Sequence, residues 1–265
     1  RAIMQCVYEG LQLPMDTALR VESRYFSKIL RSKEAAAMIR SLFVSMQELN
    51  KGARRPKNVP ETKVKKLAVI GAGFMGASVG FVSAQAGIDV VLIDRDQDSA
   101  DKGKGHAKTM LDGMIAKGRM KQDKADAILA RITATPDYNA IKDCDLVIEA
   151  VFEDRKVKAE TYAKAQPLLR DGAIFASNTS TLPINSLAEE WKDPSKFIGI
   201  HFFSPVEKMM LVEVIVGQNT GDVALAALTA QRAADLAPNA EDRLGALRLA
   251  ALAQAADGDR DAAMA

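Results

Sequence analysis

Two charged side chains, His201 and Glu213, could do acid–base chemistry together. His201 is one of only two histidines in the 265 residues; it lies in the apolar run FIGIHFF, and Glu213 stands alone in the apolar run MLVEVIV. An unpaired carboxylate among apolar neighbours costs several kcal/mol, so Glu213 needs a partner. If both runs are strands, Glu213 can orient the imidazole of His201 as a general base for a hydroxyl proton. The alternative is a structural histidine and a surface glutamate.

A second group of residues has the spacing of a dinucleotide site. GAGFMG puts Gly71, Gly73 and Gly76 in the G-x-G-x-x-G pattern, after an apolar run and before a helical one. Gly71 permits a tight turn, Gly73 lets the backbone approach a pyrophosphate, and Gly76 lets helix and strand pack closely. Asp94 ends the next predicted strand, where a carboxylate holds ribose hydroxyls and repels a 2′-phosphate, so NAD is favoured over NADP. The alternative is a glycine turn with an unrelated aspartate.

Ser180, in the segment SNTS, is a third candidate. It follows the predicted strand AIFASN, so its hydroxyl is expected at the end of that strand, facing the same crevice as His201. Helix capping by Ser180 or Thr181 is the alternative, because both residue types are common N-caps.

The elements that must position these residues alternate between strand and helix from Leu67 onward. The predicted strands are LAVIG, DVVLIDRD, ITATPD, DLVIEAV, AIFASN, FIGIHFF and MLVEVIV. Helical patterns separate most of them, including a long polar helix over Ala107–Ala130. Strands this apolar, alternating with helices, predict an α/β fold with a doubly wound, mostly parallel sheet of Rossmann type. His201 and Ser180 are then expected at the carboxyl edge, where ligands bind.

The sequence pattern divides the chain into four regions. Residues 1–50 read as helices, with Ser32 as a cap of the third, and residues 51–64 form a basic, proline-containing linker. Residues 65–237 are the predicted nucleotide-binding domain, whose last helix runs through Ala237. Residues 238–265 form an Ala-rich tail with no strand signal, either helical or disordered.

Composition excludes several classes of protein. Cys6 and Cys144 cannot build a disulfide framework, which favours a reducing compartment; the cytoplasm is expected, and an organelle is left open. The apolar runs are too short to span a membrane, and the basic linker lacks the aromatic residues typical of nucleic-acid binding. His106 has no other ligand at metal-binding spacing, so it is interpreted as a solvated histidine at a helix start and no metal is predicted.

The motifs GAGFMG, VIEAVFEDRKVK, ASNTSTLPI and HFFSPVEKMMLVEVIVG together resemble the 3-hydroxyacyl-CoA dehydrogenase family, from about Lys65 to Ala230. The N-terminal helices resemble the end of the enoyl-CoA hydratase part of bifunctional β-oxidation α-subunits. The resemblance therefore implies a fragment of a larger enzyme that uses NAD and an acyl-CoA substrate. It also implies an oligomeric parent, with a thiolase subunit as a candidate partner.

The same resemblance assigns roles to individual residues. His201 matches the catalytic base, Glu213 matches its partner, and Ser180 matches a serine that reaches both substrate and cofactor. Ser204 stands where the family often has Asn, so a cofactor contact there is expected to be weaker. The other matched cofactor-binding positions are Gly71, Gly73, Phe74, Met75, Gly76, Asp94, Val151, Phe152, Glu153 and Lys158.

The predicted activity is NAD-dependent oxidation of L-3-hydroxyacyl-CoA to 3-ketoacyl-CoA in fatty-acid β-oxidation. The family's helical C-terminal domain is not recognisable after about Ala234, so a catalytically silent NAD-binding or interaction module is the alternative. An NADP-linked hydroxyacid dehydrogenase fits the fold but fits neither Asp94 nor the arrangement of His201 and Glu213.

Overall fold

The computed structural model describes residues 1–50, 55–60, 63–209, 211–229 and 250–255. The chain divides into two compact units, Arg1–Ala53 and Arg54–Ala265. The described helices are α1 (Ala2–Gly10), α2 (Met15–Leu30), α3 (Lys33–Met38), α4 (Ser45–Asn50), α5 (Phe74–Gln85), α6 (Gln97–Ala116), α7 (Gln122–Ala130), α8 (Arg155–Ala165), α9 (Ile184–Ala188) and α10 (Asp222–Thr229). The strands are β1 (Lys66–Ile70), β2 (Asp89–Ile93), β3 (Ile132–Thr135), β4 (Leu146–Glu149), β5 (Ile174–Ser177), β6 (Phe197–Phe202), β7 (Leu211–Val216) and β8 (Ala250–Ala255).

The first unit contains α1 to α4, with a π-helical turn at Ile39–Val44. Glu9 of α1 accepts hydrogen bonds from the side chains of Arg24 and Tyr25 on α2, which fixes the two helices against each other. Ser32 caps α3 as predicted, because its hydroxyl oxygen accepts the N–H of Ala35 at 3.1 Å. Among the described helices of the whole chain, none is both long enough and apolar enough to cross a membrane.

The second unit is built on an eight-stranded sheet in the order β3-β2-β1-β4-β5-β6-β7-β8. All neighbouring strands are parallel except β6 and β7, which are antiparallel. The short connection between β6 and β7 explains the exception, since a parallel pair needs a crossover of about a dozen residues or more. The predicted doubly wound, mostly parallel sheet is therefore confirmed. The strand order reverses between β1 and β4, where open sheets of this type bind ligands.

Helices cover both faces of the sheet. Along β1, Leu67 and Val69 pack into one core with α5, α6 and α7, while Ala68 and Ile70 pack into the other with α8 and α9. The second core contains an aromatic cluster of Tyr162, Phe175, Trp191 and Phe197, whose ring centroids lie 4.2–5.9 Å apart. Both faces of the central strands are therefore buried, as the apolar runs predict.

Two predicted elements differ from the structure. The long helix over Ala107–Ala130 is two helices, α6 and α7, because Gly118 between them has a φ of +66°, which ends α6 in a left-handed turn. The last predicted helix is present as α10, and its extension to Ala237 lies outside the described residues.

The tail carries a strand where none was predicted. β8, with the sequence AALAQA, pairs in parallel with β7. Alanine has low strand propensity, so composition gave no signal; pairing with the open edge of β7 supplies the backbone hydrogen bonds instead. The rest of residues 238–265 lies outside the described residues.

Candidate active site

The antiparallel pairing of β6 and β7 puts His201 directly opposite Glu213. Nδ1 of His201 lies 2.7 Å from Oε2 of Glu213, and the two side chains are 20% and 36% exposed. An ionised carboxylate only accepts hydrogen bonds, so Nδ1 must carry the proton in this contact. The pair is thus formed as predicted, although Glu213 is less buried than its apolar neighbours suggest.

Ser180 completes a line of contacts with this pair. Its hydroxyl oxygen lies 3.1 Å from Nε2 of His201. In the neutral imidazole only one ring nitrogen carries a proton, so a proton on Nδ1 leaves the Nε2 lone pair free to accept from a hydroxyl. Ser180 is exposed, so this acceptor position faces the solvent-accessible side of the sheet edge.

The glycine-rich turn has the packing that its sequence predicts. Gly71 has a φ of +100°, and an added Cβ there would lie 2.6 Å from the carbonyl oxygen of Ala150. A Cβ on Gly76 would lie 1.7 Å from the carbonyl oxygen of Gly71, which no side chain allows. Gly73, by contrast, has no atom within 4 Å of an added Cβ. The open side of Gly73 is where a phosphate group could approach the backbone, at the N-terminus of α5.

Asp94, just after β2, is tied to the same turn. Its Oδ2 accepts the N–H of Ala72 at 2.7 Å, and its Oδ1 accepts the N–H of Arg95 at 2.7 Å. A carboxylate has about four acceptor sites, so both oxygens can still accept ribose hydroxyls. The open glycine turn and this carboxylate therefore fit an adenosine diphosphate moiety of a dinucleotide.

A buried ionic network lies beside β4 and α8. The Glu149 side chain is fully buried, and the Lys158 Nζ donates to its Oε1 at 2.8 Å. Oε1 also accepts the N–H of Val151 at 2.9 Å, while Oε2 accepts the hydroxyl of Ser177 at 2.8 Å and that of Tyr162 at 3.2 Å. Burial raises the pKa of the Tyr162 phenol, and the Glu149 charge adds to the effect, so it stays a neutral donor. Glu149 therefore has donors for all its acceptor sites.

Glu153 extends this network to the turn that carries Ser180. Its Oε2 lies 3.3 Å from Nζ of Lys158. Its Oε1 accepts the Thr179 hydroxyl at 2.5 Å and the N–H groups of Ser180 and Thr181 at 2.9 and 3.1 Å. Burial alone would raise the pKa of Glu153, but these hydrogen bonds and the Lys158 charge outweigh it and lower that pKa to about 2.

The remaining predicted positions lie at the same edge of the sheet. Phe74 begins α5 and Phe152 follows β4, and both rings are exposed. Met75 and Val151 are half-buried and pack against the two cores, and Ser204, after β6, is exposed. A direct cofactor contact for Lys158 is not supported, because its side chain has no exposed surface and is held by carboxylates.

Sequence reasoning missed Glu149, although its signal was present. Glu149 ends the apolar run LVIE of β4, and the argument that required a partner for Glu213 applies to it equally. The partner was harder to see, because Lys158 lies on the following helix and meets Glu149 only after the strand and helix pack.

His106 and Cys144 lie outside this candidate site. His106 lies in the middle of α6, not at a helix start as predicted, since α6 begins at Gln97; its Nε2 is 3.3 Å from the Ser78 hydroxyl. Cys144 is buried, which raises its thiol pKa to about 11. Among the described residues no cluster of three His, Cys, Asp or Glu side chains could hold a metal ion.

Comparison with known proteins matches the same part of the chain. Residues 66–234 match the family model described as "3-hydroxyacyl-CoA dehydrogenase, NAD binding domain". The crystal structure of (S)-3-hydroxybutyryl-CoA dehydrogenase from Ralstonia eutropha is 30% identical with a TM-score of 0.64, and the match covers 72% of this chain and 62% of that one. The chain therefore spans less than two thirds of that relative.

Two further structures extend the comparison. The 3-hydroxybutyryl-CoA dehydrogenase of Escherichia coli is 28% identical with a TM-score of 0.62, over 72% of this chain and 38% of that one. The dehydrogenase part of multifunctional enzyme 1 from C. elegans is 26% identical with a TM-score of 0.62, over 80% of this chain and 48% of that one.

Proposed function

Because this chain belongs to the 3-hydroxyacyl-CoA dehydrogenase family and binds NAD through the matched domain, we propose that it oxidises L-3-hydroxyacyl-CoA to 3-ketoacyl-CoA. The family membership supports the reaction type in this proposal, the oxidation of a CH–OH group with NAD. The acyl-CoA substrate and a place in fatty-acid β-oxidation are parts of the proposal. The single observation that carries it is the line of contacts from Glu213 through His201 to Ser180.

In this proposal the cofactor is held by the glycine turn and Asp94. The open surface over Gly73 and the N–H groups at the start of α5 would hold the diphosphate, and the Asp94 carboxylate would hold the ribose hydroxyls. Phe74, Met75, Val151, Phe152 and Ser204 would line the remainder of the site. Bound NAD⁺ supplies the acceptor for the hydride that leaves the substrate carbon.

His201 would act as the general base. With its proton on Nδ1, the imidazole presents a lone pair at Nε2, and the substrate hydroxyl would donate its proton there. Glu213 holds the ring in this tautomer and stabilises the imidazolium that forms. Without substrate, the Ser180 hydroxyl donates to Nε2. With substrate bound, it would donate to the substrate oxygen instead, which leaves Nε2 free to accept the substrate proton and keeps the substrate hydroxyl against the base. Such positioning aligns the reacting atoms before the barrier is crossed.

Turnover and binding measured on one preparation test this assignment. NADH oxidation is followed with acetoacetyl-CoA, and NADH binding by fluorescence, for the wild type and His201→Gln. The variant is expected to lose a factor on the order of 10²–10⁴ in turnover, since a positioned general base contributes that much. NADH binding should be retained. His106→Gln is the matched control, because it removes the other histidine, whose Nε2 lies 3.3 Å from the Ser78 hydroxyl and away from His201 in the sequence and in its hydrogen bonds.

Two results would contradict the proposal. Undiminished turnover in His201→Gln would show that His201 is not the general base. NADH binding by the wild type without any oxidation would favour a catalytically silent NAD-binding module.

A further inference from the structure

The buried pair of Glu149 and Lys158 calls for an explanation beyond stability. Both side chains are fully buried and 2.8 Å apart. Removing two charges from water costs about as much as their attraction returns, so an apolar pair of similar volume would serve a core at least as well. The pair is therefore best understood by what it holds in place.

Glu149 is a fixed anchor. Its carboxylate accepts the N–H of Val151 just after β4, the hydroxyl of Ser177 in β5, and donors from Tyr162 and Lys158 in α8. With donors from three segments of the chain on its oxygens, the carboxylate has little freedom to move. The position of the Lys158 Nζ is fixed in turn.

Lys158 connects Glu149 to the sheet edge around His201 through Glu153. Its Nζ lies 3.3 Å from Oε2 of Glu153, whose other oxygen holds the turn from Thr179 to Thr181. Within that turn the Ser180 hydroxyl lies 3.1 Å from Nε2 of His201. A continuous set of contacts, hydrogen bonds together with the ion pair of Lys158 and Glu153, therefore runs from the sheet interior to the imidazole.

We propose that Glu149 and Lys158 are positioning residues: their buried ion pair fixes Glu153, and Glu153 fixes the Ser180 hydroxyl against His201. The proposal rests on the proposed function for its chemical meaning, since it concerns the hydroxyl that would hold the substrate against the base. The Lys158 side chain has no exposed surface in this structure. Glu153 is about one third exposed and forms the link between the interior and the open edge.

The imidazole of His201 reports directly on this positioning. The chain has two histidines, so ring-proton NMR gives two sets of imidazole signals, and His106→Gln identifies the Hε1 signal that belongs to His201. Ser180→Ala removes the hydroxyl at Nε2 and should move the His201 signal. Lys158→Met should move the signal in the same direction, by most of that amount. In the Ser180→Ala background, Lys158→Met should add nothing further, because the hydroxyl it positions is already gone.

Companion variants separate positioning from general damage. Glu149→Gln/Lys158→Met removes both buried charges together and still breaks the link to Glu153, so it carries the test if Lys158→Met does not fold. Glu153→Ala breaks the same link at a partly exposed side chain. Lys156→Met, an exposed lysine on the same helix, is the matched control and should leave the signal unchanged.

Three results would overturn the proposal: an unmoved His201 signal in the Lys158 variants, additive shifts with Ser180→Ala, or no shift in Ser180→Ala itself. No substrate is present in this experiment, so its outcome does not depend on turnover. A protein that fails to oxidise NADH can still show the positioning, and an active one can still refute it.

Discussion

The glycine turn and the edge around His201 both lie at the carboxyl edge of the sheet, but the first is formed mainly by backbone and the second by side chains. The turn from Gly71 to Gly76 is shaped by backbone and by missing side chains, with carbonyl oxygens where any Cβ would lie. The edge around His201 is formed by side chains that depend on one another, down to a fully buried ion pair. Adding volume should therefore damage the first region, and removing a charge should damage the second.

The largest effect is expected from removing the buried charge of Lys158. Lys158→Met leaves the buried Glu149 carboxyl group without its countercharge, and breaking a buried pair in this way costs about 3–5 kcal/mol. Denaturant unfolding measures the loss. Glu149→Gln/Lys158→Met should recover part of it, because no unpaired charge remains. A loss no larger than that of the exposed Lys156→Met would show that the pair is not buried in solution.

The matching test of the first region adds one methyl group. Gly76→Ala puts a Cβ 1.7 Å from the carbonyl oxygen of Gly71, so the turn must move. Overpacking of this kind costs about 1–3 kcal/mol, and the displaced turn should also lose NADH affinity. Thermal unfolding and NADH fluorescence titration measure the two effects.

Gly73→Ala is the control for that substitution. Its added Cβ meets nothing within 4 Å and its φ is −68°, so stability should stay within about 0.5 kcal/mol of the wild type. NADH affinity should still fall, because the methyl group occupies the surface proposed for the diphosphate. Equal stability losses in both variants would contradict the packing described for the turn.

An effect on cofactor affinity is expected at Asp94, where the first region uses a charged side chain. Asp94→Ala removes the proposed acceptor of the ribose hydroxyls, and a hydrogen bond to a charged group is worth about 1.5–3 kcal/mol, so NADH affinity should fall about tenfold or more. The preference for NADH over NADPH should narrow, because the repulsion of a 2′-phosphate is lost. Fluorescence titrations with both cofactors measure this, with the exposed Asp98→Ala as control. Unchanged NADH affinity would remove the ribose role.

The two regions also differ in how far the sequence could reveal them. The glycine turn is local in sequence. The spacing of Gly71, Gly73 and Gly76 within one short segment predicts both the tight turn at Gly71 and the close packing at Gly76. The pairing of His201 with Glu213 was predictable because two apolar runs each carried one unexplained charge. The pair of Glu149 and Lys158 was not, since it forms only when β4 and α8 pack together.

The fold shows the same division. Seven strands were predicted from apolar runs, since burial on both faces leaves a continuous apolar signal. The break between α6 and α7 depends on the conformation of one glycine, Gly118, within a polar stretch. β8 depends on pairing with the edge strand β7, and the sequence AALAQA has no property that predicts this pairing.

The smallest effect concerns the charge of Glu153, in the region around His201. Burial alone would raise the pKa of Glu153, but hydrogen bonds from Thr179, Thr181 and Ser180 and the Lys158 charge outweigh it, so the folded-state pKa is about 2, below the ordinary value of 4.5. A lowered pKa means that the carboxylate contributes its stability above pH 4.5, and that this contribution is lost as the pH falls from 4.5 towards about 2. Glu153→Gln cannot titrate. The variant should therefore be less stable than the wild type at neutral pH, by at most about 1 kcal/mol because the side chain is partly exposed to solvent.

Denaturant unfolding at a series of pH values from neutral to strongly acidic measures this gap for Glu153→Gln. The gap should close through the acidic window, while the exposed Glu160→Gln should follow the wild type throughout. A gap that stays constant with pH would mean that Glu153 holds the Ser180 turn by shape and neutral hydrogen bonds alone. In that case the charge of Lys158 would not act on the edge around His201, and that edge, like the glycine turn, would depend on packing and not on charge.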